Sequence, residues 1–216
     1  MKEREETKRG YFITLEGPEG GGKTTQARRL VARLNSRGRE VIYTREPGGT
    51  PTGEAIRGIL QHDATGEPLC AESEVLLFAA SRAQLVSRVI KPALKRGCYV
   101  VCDIFYDSTT AYQGYGRGFH IEDMRRINNF AVAGCHPNLT LLLSLTPEEG
   151  FKRLALRGEE LDRMEREERV FHQRVYEGYL KMAAAESERF SVVDASQDPD
   201  QVEEAILRII RDRLKI

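Results

Sequence analysis

The 216-residue chain carries 33 Lys and Arg against 33 Asp and Glu, so its formal net charge is zero and no global basic field argues for nucleic acid as a partner. With 40% hydrophobic residues it can bury a core of its own as one domain of generous size. No segment reaches the roughly 18 consecutive apolar residues of a membrane span, and Cys70, Cys98, Cys102 and Cys135 show neither a CxxC pair nor metal-ligand spacing, which predicts reduced thiols and a cytoplasmic setting.

In chain order, residues 1–10 (MKEREETKRG) form a charged N-terminal extension with no apolar stretch, and 11–216 are expected to make a single domain. YFITLE (11–16) predicts a strand, GPEGGGKT a loop, and 24–37 an amphipathic helix. A strand at EVIYT (40–44) is followed by the REPGGTPTG loop and by helices at 52–62 and 70–95. CYVVCD (98–103) predicts a third strand; it ends in Asp103, with the bulky Ile104 next in what the pattern makes a polar loop running to the AYQG turn. A helix at 121–133, a strand at LTLLLSL (139–145), helices at 147–157 and 165–187, a strand at FSVVDA (190–195) and a helix at 199–213 complete the series. Most of the apolar runs are near-continuous rather than alternating, as in strands buried on both faces, and the alternation of strands with helices predicts an α/β fold with a parallel sheet wrapped by helices.

The strongest chemical signal is Gly17-Pro18-Glu19-Gly20-Gly21-Gly22-Lys23-Thr24, which fits the phosphate-binding pattern G-x-x-x-x-G-K-[ST] between a strand and a helix. Glycines let successive backbone N–H groups face a phosphate, and the following helix adds its positive N-terminal end. Lys23 would reach the β- and γ-phosphates and Thr24 would bind Mg²⁺; a turn that merely joins strand to helix is the plain alternative. Asp103, at the end of a neighbouring strand, is the second candidate metal ligand, since ligands collect at that edge of such sheets. An aspartate capping the next turn is its alternative. No N-K-x-D guanine motif occurs, so a GTPase reading loses.

LEGPEGGGKTTQ, TREPGGTPTGEAIR, LLFAASRAQ, the CD-x-FYDSTTAYQG stretch and LRGEELDRME together resemble the thymidylate kinase family over about residues 11–195. The resemblance implies a P-loop kinase fold with a five-stranded parallel sheet flanked by helices, phosphoryl transfer from ATP to dTMP with Mg²⁺, and a homodimer with neither nucleic acid nor membrane as partner. It further implies that Gly17 to Thr25 hold ATP and that Lys23, Asp103 and Arg157 serve catalysis. Phe78 resembles the aromatic that stacks on thymine, Arg82 the arginine that contacts the base, and Arg57 the arginine that holds the dTMP phosphate. Tyr112 and Gln113 match positions beside the deoxyribose and thymine, and Glu19 matches an acid facing the acceptor sugar. For Phe78 the bland alternative is core packing, for Arg57 a solvated helix surface, and for Tyr112 and Gln113 a packed surface loop.

Residues 154–167 resemble the lid that closes over ATP, with Arg157 and Arg163 as lid arginines, in the manner of bacterial-type members whose phosphate loop lacks an arginine; a salt-bridged exposed helix is the alternative. Two positions depart from the family pattern. Its D-R-[YHF] motif reads Asp103-Ile104-Phe105 here, so the arginine that spans donor and acceptor phosphates is missing, and Ser144 stands where members commonly carry aspartate. Three readings follow: a dTMP kinase slowed by Ile104, a silenced nucleotide-binding protein of the same fold, or a kinase for another monophosphate.

Overall fold

The computed structural model describes residues 10–62, 66–158 and 160–215, so nearly all of the charged extension lies outside the described residues. Five parallel strands form one sheet in the order β2-β3-β1-β4-β5: β1 (Phe12–Glu16), β2 (Val41–Arg45), β3 (Tyr99–Asp103), β4 (Leu139–Ser144) and β5 (Phe190–Asp194). Parallel pairing puts every carboxyl end at one edge, which is where loops from different strands can meet a ligand.

Neighbouring residues of the central strands go to opposite sides, as the pleat requires. Ile13, Leu15 and Val101 join one core with α1 (Lys23–Ser36) and α9 (Pro199–Leu214), whereas Phe12, Val100 and Cys102 join another on the far face. Both faces are therefore apolar, which is the physical reason for the near-continuous runs in the sequence. In α9, Val202, Ile206, Ile210 and Leu214 recur every four residues on the buried side, and Asp198 with Gln201 closes a capping box at its start.

The helix expected over 70–95 is helical throughout but not uniform: α3 (Ala71–Leu85) widens into a π segment (Val86–Ile90) before α4 (Lys91–Lys95). Pro92 explains the change, because it has no N–H to give the carbonyl four residues back and its ring would clash there.

A larger difference lies after β3. The polar loop expected there is instead buried helical structure, α5 (Tyr106–Thr109) running into a π segment (Thr110–Gly116). Its polar side chains are satisfied inside the protein: Asp107 pairs with Arg189 at 2.6 Å, and Asn128 Nδ2 donates to Thr110 Oγ1 at 3.1 Å. Buried polar groups break the hydrophobic period from which helices are read, so the pattern in the sequence points the wrong way. The remaining helices that matter for the site are α2 (Pro51–His62), α6 (Ile121–Val132), α7 (Pro147–Arg157) and α8 (Arg169–Ala185).

Candidate active site

At the carboxyl edge of β1, β2 and β3 lies a cavity of about 440 Å³, lined by Gly17, Glu19, Lys23 and Thr24 from the loop after β1 and the start of α1, and by Arg57, Phe78, Tyr112 and Gln113 from α2, α3 and the π segment after α5. The loop after β1 owes its shape to glycine. Gly20 has φ +72° and sits so close to α7 that a Cβ there would stand 2.6 Å from the carbonyl oxygen of Gly150. Gly22, at φ +77°, starts α1, whose first N–H groups have no intrahelical partner and so make a ready anion site. Pro18, Gly21 and the exposed Thr25 complete this turn outside the cavity lining.

Lys23 Nζ donates to the carbonyl oxygens of Gly17 at 3.0 Å and Pro18 at 2.7 Å. Thr24 Oγ1 donates to Asp103 Oδ2, so the two candidate metal ligands, from α1 and β3, share one spot. Both are hard oxygen donors, a set that suits Mg²⁺, which is held by one or two protein oxygens and keeps its waters and phosphates as further ligands. Glu19 belongs to the other side of the loop: its Oε1 accepts from the Tyr112 hydroxyl at 2.7 Å. Burial, and then the Glu19 charge, push the Tyr112 phenol well above its ordinary value, so it stays a donor.

Ile104 is the most unusual backbone position in the site. Its φ is +55°, in the left-handed region, where a β-branched residue is a steric outlier costing roughly 1–2 kcal/mol. The surroundings hold it there: Ile104 N donates to Leu15 O at 3.0 Å, and the next amide, Phe105 N, donates to Glu16 Oε1 at 2.6 Å. A continued strand would send Asp103 and Ile104 to opposite faces. The reversal brings both to the cavity wall and drops Phe105 into the core.

On the far side, Arg57 of α2 is half-buried and donates to Pro47 O at 3.0 Å. Burial, followed by the neighbouring Arg45, lowers its pKa, and an anion arriving there would offset the repulsion between the two guanidinium groups. Phe78 of α3 lines the cavity, and Gln113 reaches it from the π segment, with Nε2 donating to Glu74 Oε1 at 2.7 Å.

A family model for thymidylate kinase matches residues 15–206. A thymidylate kinase of Bacillus pumilus is 47% identical over 207 residues, 95% of this chain and 97% of the relative. One of Deinococcus radiodurans is 49% identical over 205 residues, 94% of this chain and 98% of the relative. The crystal structure of thymidylate kinase from Ehrlichia chaffeensis superposes with a TM-score of 0.75 at 30% identity, covering 94% of this chain and 99% of that one. The chain belongs to the thymidylate kinase family.

Within this family member the structure separates two residues that the sequence groups together. Phe78 and Arg82 are one helical turn apart on α3, yet only Phe78 lines the cavity. Arg82 is fully buried behind it, with Nε donating to Glu46 Oε2, Nη1 to Asn128 Oδ1 and Nη2 to Thr109 Oγ1, each at 2.9 Å. Burial raises the Glu46 carboxyl to about 7, against the pull of Arg82. In the expected lid, the side chain of Arg157 lies outside the described residues, while Arg163 Nε donates to Leu60 O at 3.0 Å and its Nη2 stands 2.5 Å from Glu74 Oε2. Sequence reasoning missed Glu74 and Arg28. Arg28, which lines the cavity, was findable from helix spacing, since it follows Thr24 by four residues, whereas the contacts of Glu74 with Gln113 and Arg117 are made only by the fold.

Proposed function

We propose that the cavity is the place where ATP hands its γ-phosphoryl group to dTMP. The chain is an ATP-dependent phosphotransferase of the thymidylate kinase family and makes dTDP and ADP. The observation that carries the assignment of residues is the convergence of the phosphate loop, Asp103, Arg57, Phe78 and Gln113 on one cavity. Phosphoryl transfer leaves little covalent work for the protein, so catalysis is positioning plus electrostatic stabilisation. The loop amides and Lys23 hold the donor phosphates, with Arg157 as the lid charge on the transferring group. Arg57 holds the acceptor phosphate, where its guanidinium and that of its neighbour Arg45 together favour an anion. Phe78 stacks on the base, Gln113 hydrogen-bonds it, and Glu19 with Tyr112 faces the sugar. Arg82 supports this wall from behind through Glu46 and Thr109. Thr24 and Asp103 would hold Mg²⁺, which neutralises phosphate charge when bound.

Ile104 reaches the cavity where the resemblance places an arginine, and an aliphatic side chain cannot stabilise charge developing between two phosphates. This observation favours slow turnover with intact nucleotide binding, and at its extreme the silenced binding protein. The chain is further proposed to act in the cytoplasm as a homodimer, with residues 11–216 as one domain. No described helix is long and apolar enough to cross a membrane. A coupled ADP-release assay on dTMP, dUMP, dCMP and dGMP tests the reading: dTMP should be the preferred acceptor. Release from another monophosphate in preference to dTMP would reassign the substrate, and release from none would leave the binding-protein reading.

A further inference from the structure

Glu74 takes no part in the phosphate chemistry, yet it is among the most heavily bonded side chains beside the cavity. It is fully buried in the first turn of α3. Its Oε1 accepts from Gln113 Nε2 and from Arg117 Nε, both at 2.7 Å; its Oε2 accepts from Arg117 Nη2 at 3.0 Å and faces Arg163 Nη2 at 2.5 Å. Arg117 also donates to Glu167 at 2.8 Å, so α3, the π segment and the expected lid all meet at this one carboxylate. Burial alone would raise the Glu74 carboxyl, but the bonds from Arg117 and Gln113, with the Arg117 and Arg163 charges, outweigh it and hold the group below its ordinary value. Glu74 is therefore an ionised, acceptor-only group.

A primary amide has two faces, a donor and an acceptor, and a half-turn of its last torsion exchanges them. Against an ionised carboxylate only the NH₂ end is tolerated, because an amide oxygen turned to Glu74 Oε1 would be repelled and left without a donor. Gln113 is 1% exposed, so it has no room to escape the choice by moving into solvent. Its Oε1 is left for the cavity, which Gln113 lines beside Phe78.

We propose that Glu74 is a specificity-positioning residue: by fixing the Gln113 amide it makes the base contact a hydrogen-bond acceptor, which selects pyrimidines bearing an N3–H and rejects cytosine, whose N3 is itself an acceptor. This rests on the reading of Phe78 and Gln113 as the base site. Thymine and uracil both carry N3–H, so Glu74 governs the choice against cytosine and is indifferent to the thymine methyl.

The test measures dissociation constants of dTMP, dUMP and dCMP by calorimetry on the full-length chain without ATP. Gln113→Ala comes first and should shrink the preference for dTMP over dCMP; an unchanged preference overturns the base-site reading and this proposal with it. Glu74→Gln replaces an acceptor-only group by one that can face either end of the Gln113 amide. It should reduce the dTMP-to-dCMP preference at least about tenfold, the scale of one hydrogen bond, with the dTMP-to-dUMP ratio and the ATP affinity unchanged. Equal weakening of all three nucleotides, or a preserved preference, in a background where Gln113→Ala does shrink it, assigns Glu74 a merely structural role and overturns the proposal alone. If Glu74→Gln does not fold, Glu74→Asp decides by the same ratio, since it keeps a charge for Arg117 and Arg163 while withdrawing the oxygen from Gln113.

Discussion

On the proposed assignment, the two ends of the cavity recognise their ligands by opposite means. At the phosphate end the work falls to backbone N–H groups at a glycine turn and to a few charges, and the local sequence from Gly17 to Thr24 is enough to specify it. At the proposed base end, recognition would depend on how a neutral amide, Gln113, is turned, and that amide is bonded by Glu74, 39 residues away in the chain, which Arg117 and Arg163 hold in turn. A phosphate is a diffuse, multiply charged acceptor that tolerates small errors in donor placement. A base edge is a short code of donors and acceptors, and one reversed amide rewrites it. Ile104 and Glu74 mark the contrast: the first is an aliphatic side chain at the robust end, the second a frame at the exacting end.

The comparison can be broken most severely from behind the base wall. Arg82→Met leaves Glu46 buried without its counter-charge, and removing one partner of such a pair costs about 3 kcal/mol or more. The lower end applies here, because Glu46 can take up a proton. Denaturant melts should show the loss, and a change below about 1 kcal/mol would mean that Arg82 and Glu46 are not the strut described. Next in size is Ile104→Arg, expected to raise kcat by at least about 10²-fold, or about 2.7 kcal/mol of barrier, while the dTMP dissociation constant changes much less. A slightly higher Tm should accompany it, since an unbranched Cβ is easier to hold at positive φ than isoleucine. Stopped-flow turnover decides the matter: if the chain as written already turns over at about 1 s⁻¹ or faster and the arginine adds nothing, a cavity arginine such as Arg28 or Arg57 supplies the charge.

Smaller effects sharpen the base end. Phe78→Ala should abolish most of the rise in Tm that dTMP produces without ATP, through a loss of about 1–2 kcal/mol of stacking and apolar contact. The same substitution should leave the ATP-induced rise in place. A pH effect tests the strut from the side of the carboxyl. The folded-state pKa of Glu46 is raised from 4.5 to about 7, so the folded protein binds the extra proton and this group's contribution is fully present below about pH 4.5. It is lost as pH rises to about 7 and is flat above. Glu46→Gln should remove that slope from a plot of Tm against pH, and an unchanged slope would place its origin in another group.

The order of strands and helices, the glycine turn and the acid at the end of β3 were legible in the sequence, because each rests on local chemistry or on a short period of apolar residues. The family resemblance added Arg57, Phe78, Tyr112 and Gln113, and all four line the cavity. The structure alone turned the expected polar loop after Asp103 into buried helix, since its polar residues are paid for by partners such as Arg189 and Asn128 from distant elements. Tertiary packing also decided that Arg82 lies behind the wall rather than in it, that a left-handed turn carries Ile104 to the cavity beside Asp103, and that Glu74 holds Gln113. Spacing along a helix says which residues share a face, but which of them meets a cavity and which a buried carboxylate depends on what the rest of the chain packs against that face.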